Sequence, residues 1–169
     1  MSGESPVAGR WIDRAGFRVS ALLLWVCLLG MMFAQVEIQI EGSAGWAANL
    51  PTWRLDGSWL NSFWGGKTIT GYHVWVFSFM ALVFHLSLFV AGTWSWRLEA
   101  RILGCIMVFW IVEDFLWFVF NPAFGLGLFS PENIPWHKHW LMGVPVDYVI
   151  SLALGFGLMA WSYRAVRRD

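Results

Sequence analysis

Charge is scarce in this sequence. Only 11 of its 169 residues are Lys or Arg and 11 are Asp or Glu, they balance to no net charge, and no basic tract with interleaved polar residues occurs. Nothing in that distribution calls for nucleic acid or for an acidic partner. Cysteine is scarcer still: Cys27 and Cys105 each stand alone in an apolar run, with no C-x-x-C. Thiol–disulfide chemistry needs a reactive pair, so both read as small packing residues. Also missing are an H-E-x-x-H, an E-x-x-H of the di-iron bundle type, a histidine box, and the repeated halves and broken helices of a transporter.

What fills the chain instead is apolar surface. Hydrophobic residues make up 58% of it and 14 residues are Trp, which sets it outside the usual soluble class. A hydrocarbon core of about 30 Å needs about 20 apolar residues in a helix. Four segments qualify, Val19–Ile40, Tyr72–Thr93, Ile102–Phe120 and Val146–Tyr163. The expected fold is all-α, a single transmembrane domain of four helices over residues 1–169, with long loops at 41–71 and 121–145. The first run follows Arg10, Arg14 and Arg18 like a secretory signal. It is longer than a signal's apolar region and lacks a small-x-small cleavage site, so it is expected to be retained as a helix.

Positive charges set the orientation. Arg10, Arg14, Arg18, Arg97, Arg101, Arg164, Arg167 and Arg168 fall on one side of these spans, against Arg54, Lys67 and Lys138 on the other. Both termini are therefore expected in the cytoplasm and both long loops outside it. Trp94, Trp96 and Trp161 then lie at the inner interface, with Trp136 and Trp140 at the outer one. In the first outer loop Trp46, Leu50 and Trp53 share a helical face, as do Leu60, Phe63 and Trp64, which predicts short helical pieces in the headgroup layer. In the fourth span Ser151-x-x-x-Gly155 and Ala153-x-x-x-Gly157 have the spacing that admits a close helix neighbour.

The anomaly is "MVFWIVEDFLWFVFNP", which sets Glu113 and Asp114 side by side within an apolar run. Ionised groups in lipid cost a few kcal/mol each, so they need partners. Counting about 1.5 Å per residue from the outer boundary places Glu37 about 5 Å deep, His73 and Asp147 within about 3 Å, and Glu113 and Asp114 about 10 Å deep. His137 and His139 flank Lys138 in "PWHKHW", where an extended backbone would send both imidazoles the same way. Asn121-Pro122 ends the third helix and turns the chain back over the mouth.

One constellation results: Glu37, His73, Glu113, Asp114, His137, His139 and Asp147. Mixed imidazole and carboxylate ligands suit a divalent zinc, iron, copper or manganese ion, which would let a buried carboxylate stay ionised. His73, Glu113, Asp114, His137, His139 and Asp147 are the candidate ligands. Glu113 and Asp114 are also the candidate catalytic acid and base, acting on a membrane lipid or another hydrophobic substrate. Adjacent residues diverge by about 100°, so both cannot aim at one point. Other readings stay open. Glu113 and Asp114 as a hydrogen-bonded packing pair is one, and haem or quinone binding with His73 opposite His137 or His139 is another. An accessory subunit held to a membrane-protein partner or to further copies of itself, and a proton relay, complete them. A lone His85 is expected to bond a neighbouring helix.

Overall fold

A computed structural model describes residues 15–57, 59 and 67–164. Four helices dominate it: α1 (Ala15–Glu41), α2 (Gly71–Ala91), α3 (Trp96–Phe120) and α4 (Val146–Tyr163). All four are long and apolar enough to cross a membrane, so the chain is an all-α polytopic membrane protein. Arg10, Arg14, Arg167 and Arg168 lie outside the described residues.

α4 has the predicted bounds and α2 ends two residues short of its own, whereas α1 and α3 outrun the predicted apolar stretches where polar residues can still be helical. α3 starts at Trp96 rather than Ile102 because Ser95 caps it, its side chain accepting from the Leu98 N–H at 3.1 Å. Its far end follows the expected break: Asn121 has φ −71° and ψ 118°, extended as the residue before proline prefers. The Asn121 side chain then ties two loops together, donating to Gly42 O at 2.8 Å and accepting from Ala123 N–H at 3.0 Å. α2 opens with a capping box in which Thr70 and His73 bond each other's backbone, and it stops at Gly92, a left-handed C-cap.

α3 is the central helix, packed along both α1 and α4. It is also the most buried of the four, and α2 the least. Small residues set these distances. A Cβ on Gly104 would lie 2.6 Å from Gly155 O and 2.7 Å from Met159 Cγ, and one on Gly155 would lie 3.1 Å from Gly104 O. α3 and α4 thus touch backbone to backbone at the Ser151/Gly155 face, as the spacing predicts. The Ala153/Gly157 face is not used, since a Cβ on Gly157 meets nothing within 4 Å. Gly30 brings α1 onto α3, its Cβ position 3.1 Å from Val112 Cγ1. Below the loops the core gathers Val26, Met80, Cys105, Val108, Phe109 and Met159. A second cluster of Ala34, Ile38, Trp117, Phe118 and Ile134 fastens the last loop to the ends of α1 and α3.

Among the described residues the interfacial loop helices are not found, and the expectation is corrected. Trp46 and Ala47 have φ 56° and 51°, the left-handed region that a right-handed helix cannot contain. Local bonds hold them there. Ala47 N–H donates to Glu41 Oε1, Trp46 Nε1–H donates to Thr68 O at 3.0 Å, and Arg54 Nη2 donates to Ala47 O and Ala48 O at 3.0 and 2.8 Å. Trp46, Leu50 and Trp53 therefore do not share a helical face, while Leu60, Phe63 and Trp64 lie outside the described residues. The loops form two small antiparallel ladders instead. β1 (Arg54–Leu55) pairs with β2 (Ile69–Thr70), and β3 (Trp140–Leu141) pairs with β4 (Val144–Pro145). The second turns on Met142 and Gly143, both at positive φ as a two-residue hairpin demands.

The Gly104–Gly155 contact generates a prediction. Gly104→Val should lower stability by about 2 kcal/mol or more, because a Cβ cannot enter without parting two backbones. Gly157→Ala should be neutral or stabilising by up to about 1 kcal/mol, as expected for Ala over Gly in a helix. Unfolding midpoints of the two variants in the same detergent test the contrast.

Candidate functional site

Antiparallel alternation brings the end of α1, the start of α2, the end of α3 and the start of α4 to one end of the bundle. Asn121 bonded to Gly42 O and Tyr72 bonded to Glu37 fix that arrangement. The opposite end is held by His85, whose Nε2 lies 3.0 Å from Glu99 Oε1 on α3 and whose Nδ1 lies 2.7 Å from Ala81 O. His85 bonds a neighbouring helix as expected and takes no part in the site.

Between the four helix ends lies a cavity of about 580 Å³. All seven residues of the predicted constellation, Glu37, His73, Glu113, Asp114, His137, His139 and Asp147, line it. The 100° between Glu113 and Asp114 is resolved by giving each its own wall. Glu113 turns toward α1, where its side chain hydrogen-bonds that of Glu37. Glu37 in turn accepts from the Tyr72 hydroxyl at 2.8 Å. A hydrogen bond between two carboxyls requires a proton on one of them.

Asp114 turns toward α4 and the last loop. Its Oδ2 accepts from the Tyr148 hydroxyl and lies 3.2 Å from His137 Nε2, while His137 Nδ1 lies 2.8 Å from Asp147 Oδ2. Both ring nitrogens of His137 therefore face carboxylates, which favours the imidazolium. Burial alone would push its pKa down. The hydrogen bonds and charges of Asp114 and Asp147 outweigh burial and raise it from 6.5 to about 9. His137 is thus a cation clamped between α3 and α4.

His73 and His139 do something else. His73 Nδ1 is spent on α2's own start, 2.8 Å from Thr70 Oγ1 and accepting from Thr70 N–H at 3.3 Å. Its ring stacks 4.4 Å from that of Trp46. His139 is exposed at the mouth and contributes its backbone carbonyl, which accepts from Val146 N–H at 2.8 Å. Among the described residues, no group of three or more His, Cys, Asp and Glu is arranged to hold a metal ion. His137 has both ring nitrogens beside carboxylates, and His73 has its Nδ1 bonded to Thr70.

Several residues of the site escaped the reading of the sequence. Glu41 lines the cavity one turn beyond Glu37, a spacing visible in "VEIQIE" once the first helix is allowed to run past its apolar stretch. Lys67 lies at the same end, its Nζ 3.3 Å from the ring centroid of Trp136 and 4.6 Å from that of Trp46. Burial lowers its pKa to about 6 against the pull of the Asp114 and Glu41 carboxylates, and the two indole faces also favour the charged form. No spacing joins Lys67 to Trp136 in the sequence. Tyr72 was legible only as an aromatic residue near the interface.

The His137 clamp predicts a pH dependence. Its folded pKa lies above the unfolded one, so its stabilisation is complete below pH 6.5 and disappears as pH rises through about 9. The loss is on the order of 3 kcal/mol. The unfolding midpoint in detergent should fall across that interval, and His137→Phe should flatten the profile. Comparison with protein-family models, with curated proteins and with solved structures finds no match for this chain.

Proposed function

We propose that this membrane protein takes the polar end of a lipid or other hydrophobic molecule into the cavity at the helix ends, and that the Glu37–Glu113 pair exchanges a proton with it. The observation that carries the reading is the approach of those two carboxyls on the wall of a cavity whose lining is rich in aromatic rings. A carboxyl pair holding one proton has both a donor and an acceptor form to hand. The indoles of Trp46, Trp110, Trp117 and Trp136, with Phe77 and Phe118, line the same space with apolar surface. Such walls exclude water and strengthen each polar contact inside. His137, fixed between Asp114 and Asp147, is a positioning group in this reading rather than the reacting one.

The distribution of Arg and Lys supports an orientation with both termini in the cytoplasm, and the cavity then opens toward the outer leaflet. A ligand dissolved in that leaflet would enter beside its own lipid neighbours, with no need to cross the bilayer.

Two experiments test this. Extraction of hydrophobic molecules from the purified protein, followed by mass spectrometry, should recover a bound species in about stoichiometric amount. Ser151→Leu, which narrows the cavity from α4, should reduce that amount several-fold, and equal recovery from both proteins would count against the site. For orientation, a cysteine placed at the exposed Glu132 should react with a membrane-impermeant maleimide in intact cells, whereas one replacing the exposed Trp94 should react only after lysis. The reverse pattern turns the protein over.

A further inference from the structure

We infer that the polar group taken up by the cavity is a hydroxyl, which makes the ligand a neutral hydrophobic alcohol; this rests on the binding reading above. Two polar atoms on the cavity wall are buried with no hydrogen-bond partner: Glu113 Oε1 and Trp117 Nε1. Glu113 is 3% exposed and Trp117 4%, and both line the cavity. They stand four residues apart on α3, which puts them on one face, one turn from each other.

Their chemistry is complementary. An indole N–H only donates, so Trp117 needs an acceptor. The other oxygen of Glu113 is engaged with Glu37, and with a proton lying between the two carboxyls, Oε1 accepts and needs a donor. Buried groups left in this state cost free energy that a matching ligand recovers. A hydroxyl is one donor and two acceptor lone pairs on a single oxygen, so it can satisfy both atoms at once. A ketone, quinone or ether oxygen would serve Trp117 and leave Glu113 unpaired. An ammonium would serve Glu113 and leave Trp117 unpaired. A carboxylate or phosphate would add negative charge beside Glu37, Glu113 and Asp114, and the cations nearby are His137, already clamped between two acids, Lys67 and the exposed Lys138. The tail would lie along Phe77, Trp110, Ile111 and Ile150, which continue the lining in apolar surface.

The test uses the full chain in lipid nanodiscs and one isoprenoid chain presented as the alcohol, its methyl ether and the primary amine. Binding is read by competition against the radiolabelled alcohol and, for the variants, by direct titration. The wild type should bind the alcohol about tenfold or more tightly than either analogue. Trp117→Phe keeps a ring and removes the N–H. It should weaken the alcohol about tenfold and leave the amine unchanged. Glu113→Leu should weaken the alcohol and leave the ether unchanged. Equal binding of all three probes to the wild type overturns the hydroxyl assignment, as when water fills the gap, while leaving the cavity a hydrophobic-ligand site. If no probe binds, the binding reading falls with it. The wild-type probe series decides the matter even if neither variant folds.

Discussion

A carboxyl group inside an apolar bundle needs hydrogen-bond donors close by, and for Asp114 they come from α4 and from the last loop. Tyr148 and His137 both reach its Oδ2, and His137 reaches on to Asp147. This short chain joins the third helix to the fourth and brings the "PWHKHW" segment down over the helix ends. Beside it, the loop is held by aromatic contacts such as Trp136 on Phe118 and Trp140 on Phe129, by buried Ile134 and by the Asn121–Gly42 bond. Aromatic contacts of that kind add about 1 kcal/mol each beyond their buried area, whereas an uncompensated buried charge costs several times as much. The polar chain sets the position, and the rings fill in around it.

Glu113 shows the opposite arrangement on the same turn of helix. Its companion is another acid, Glu37, and one of its oxygens is left without a partner. A structure built only for stability would replace such a pair with apolar side chains of similar volume, since buried ionisable groups rarely repay their desolvation. The two acids therefore divide the work. Asp114 is bonded through Oδ2 to α4 and the last loop, while Glu113 keeps an unpartnered oxygen on the wall of the cavity. Close packing elsewhere makes this affordable, because Gly30, Gly104 and Gly155 let α1 and α4 approach α3 tightly below the cavity. The wide end that holds the cavity and the narrow remainder belong to one design, in which small residues close the bundle and bulky rings line the opening.

The apolar spans, the break at Asn121-Pro122, the close-packing face of Ser151 and Gly155 and the crowding of ionisable groups at one end were legible in the sequence, because each follows from hydropathy, backbone restriction or residue size along a single helix. The apolar stretches marked the helices less well at their ends, since Glu41 and Arg97 continue a helix without being hydrophobic. The outer loops were misread for a related reason. Helical spacing of Trp46, Leu50 and Trp53 is a statement about pattern. The backbone there follows the hydrogen bonds of Glu41, Thr68 and Arg54 into a left-handed turn.

By itself the sequence determined that the chain forms membrane-spanning helices and that its acids and imidazoles lie at similar depth, since lipid thickness and helix rise are the same for every span. Only the tertiary structure decided how those groups pair. A histidine between two acids reads identically as a metal ligand or as an imidazolium until both of its nitrogens are located. For His137 those nitrogens meet Asp114 and Asp147, and that contact between residues far apart in the chain makes it a link between α3 and α4 on the wall of the cavity.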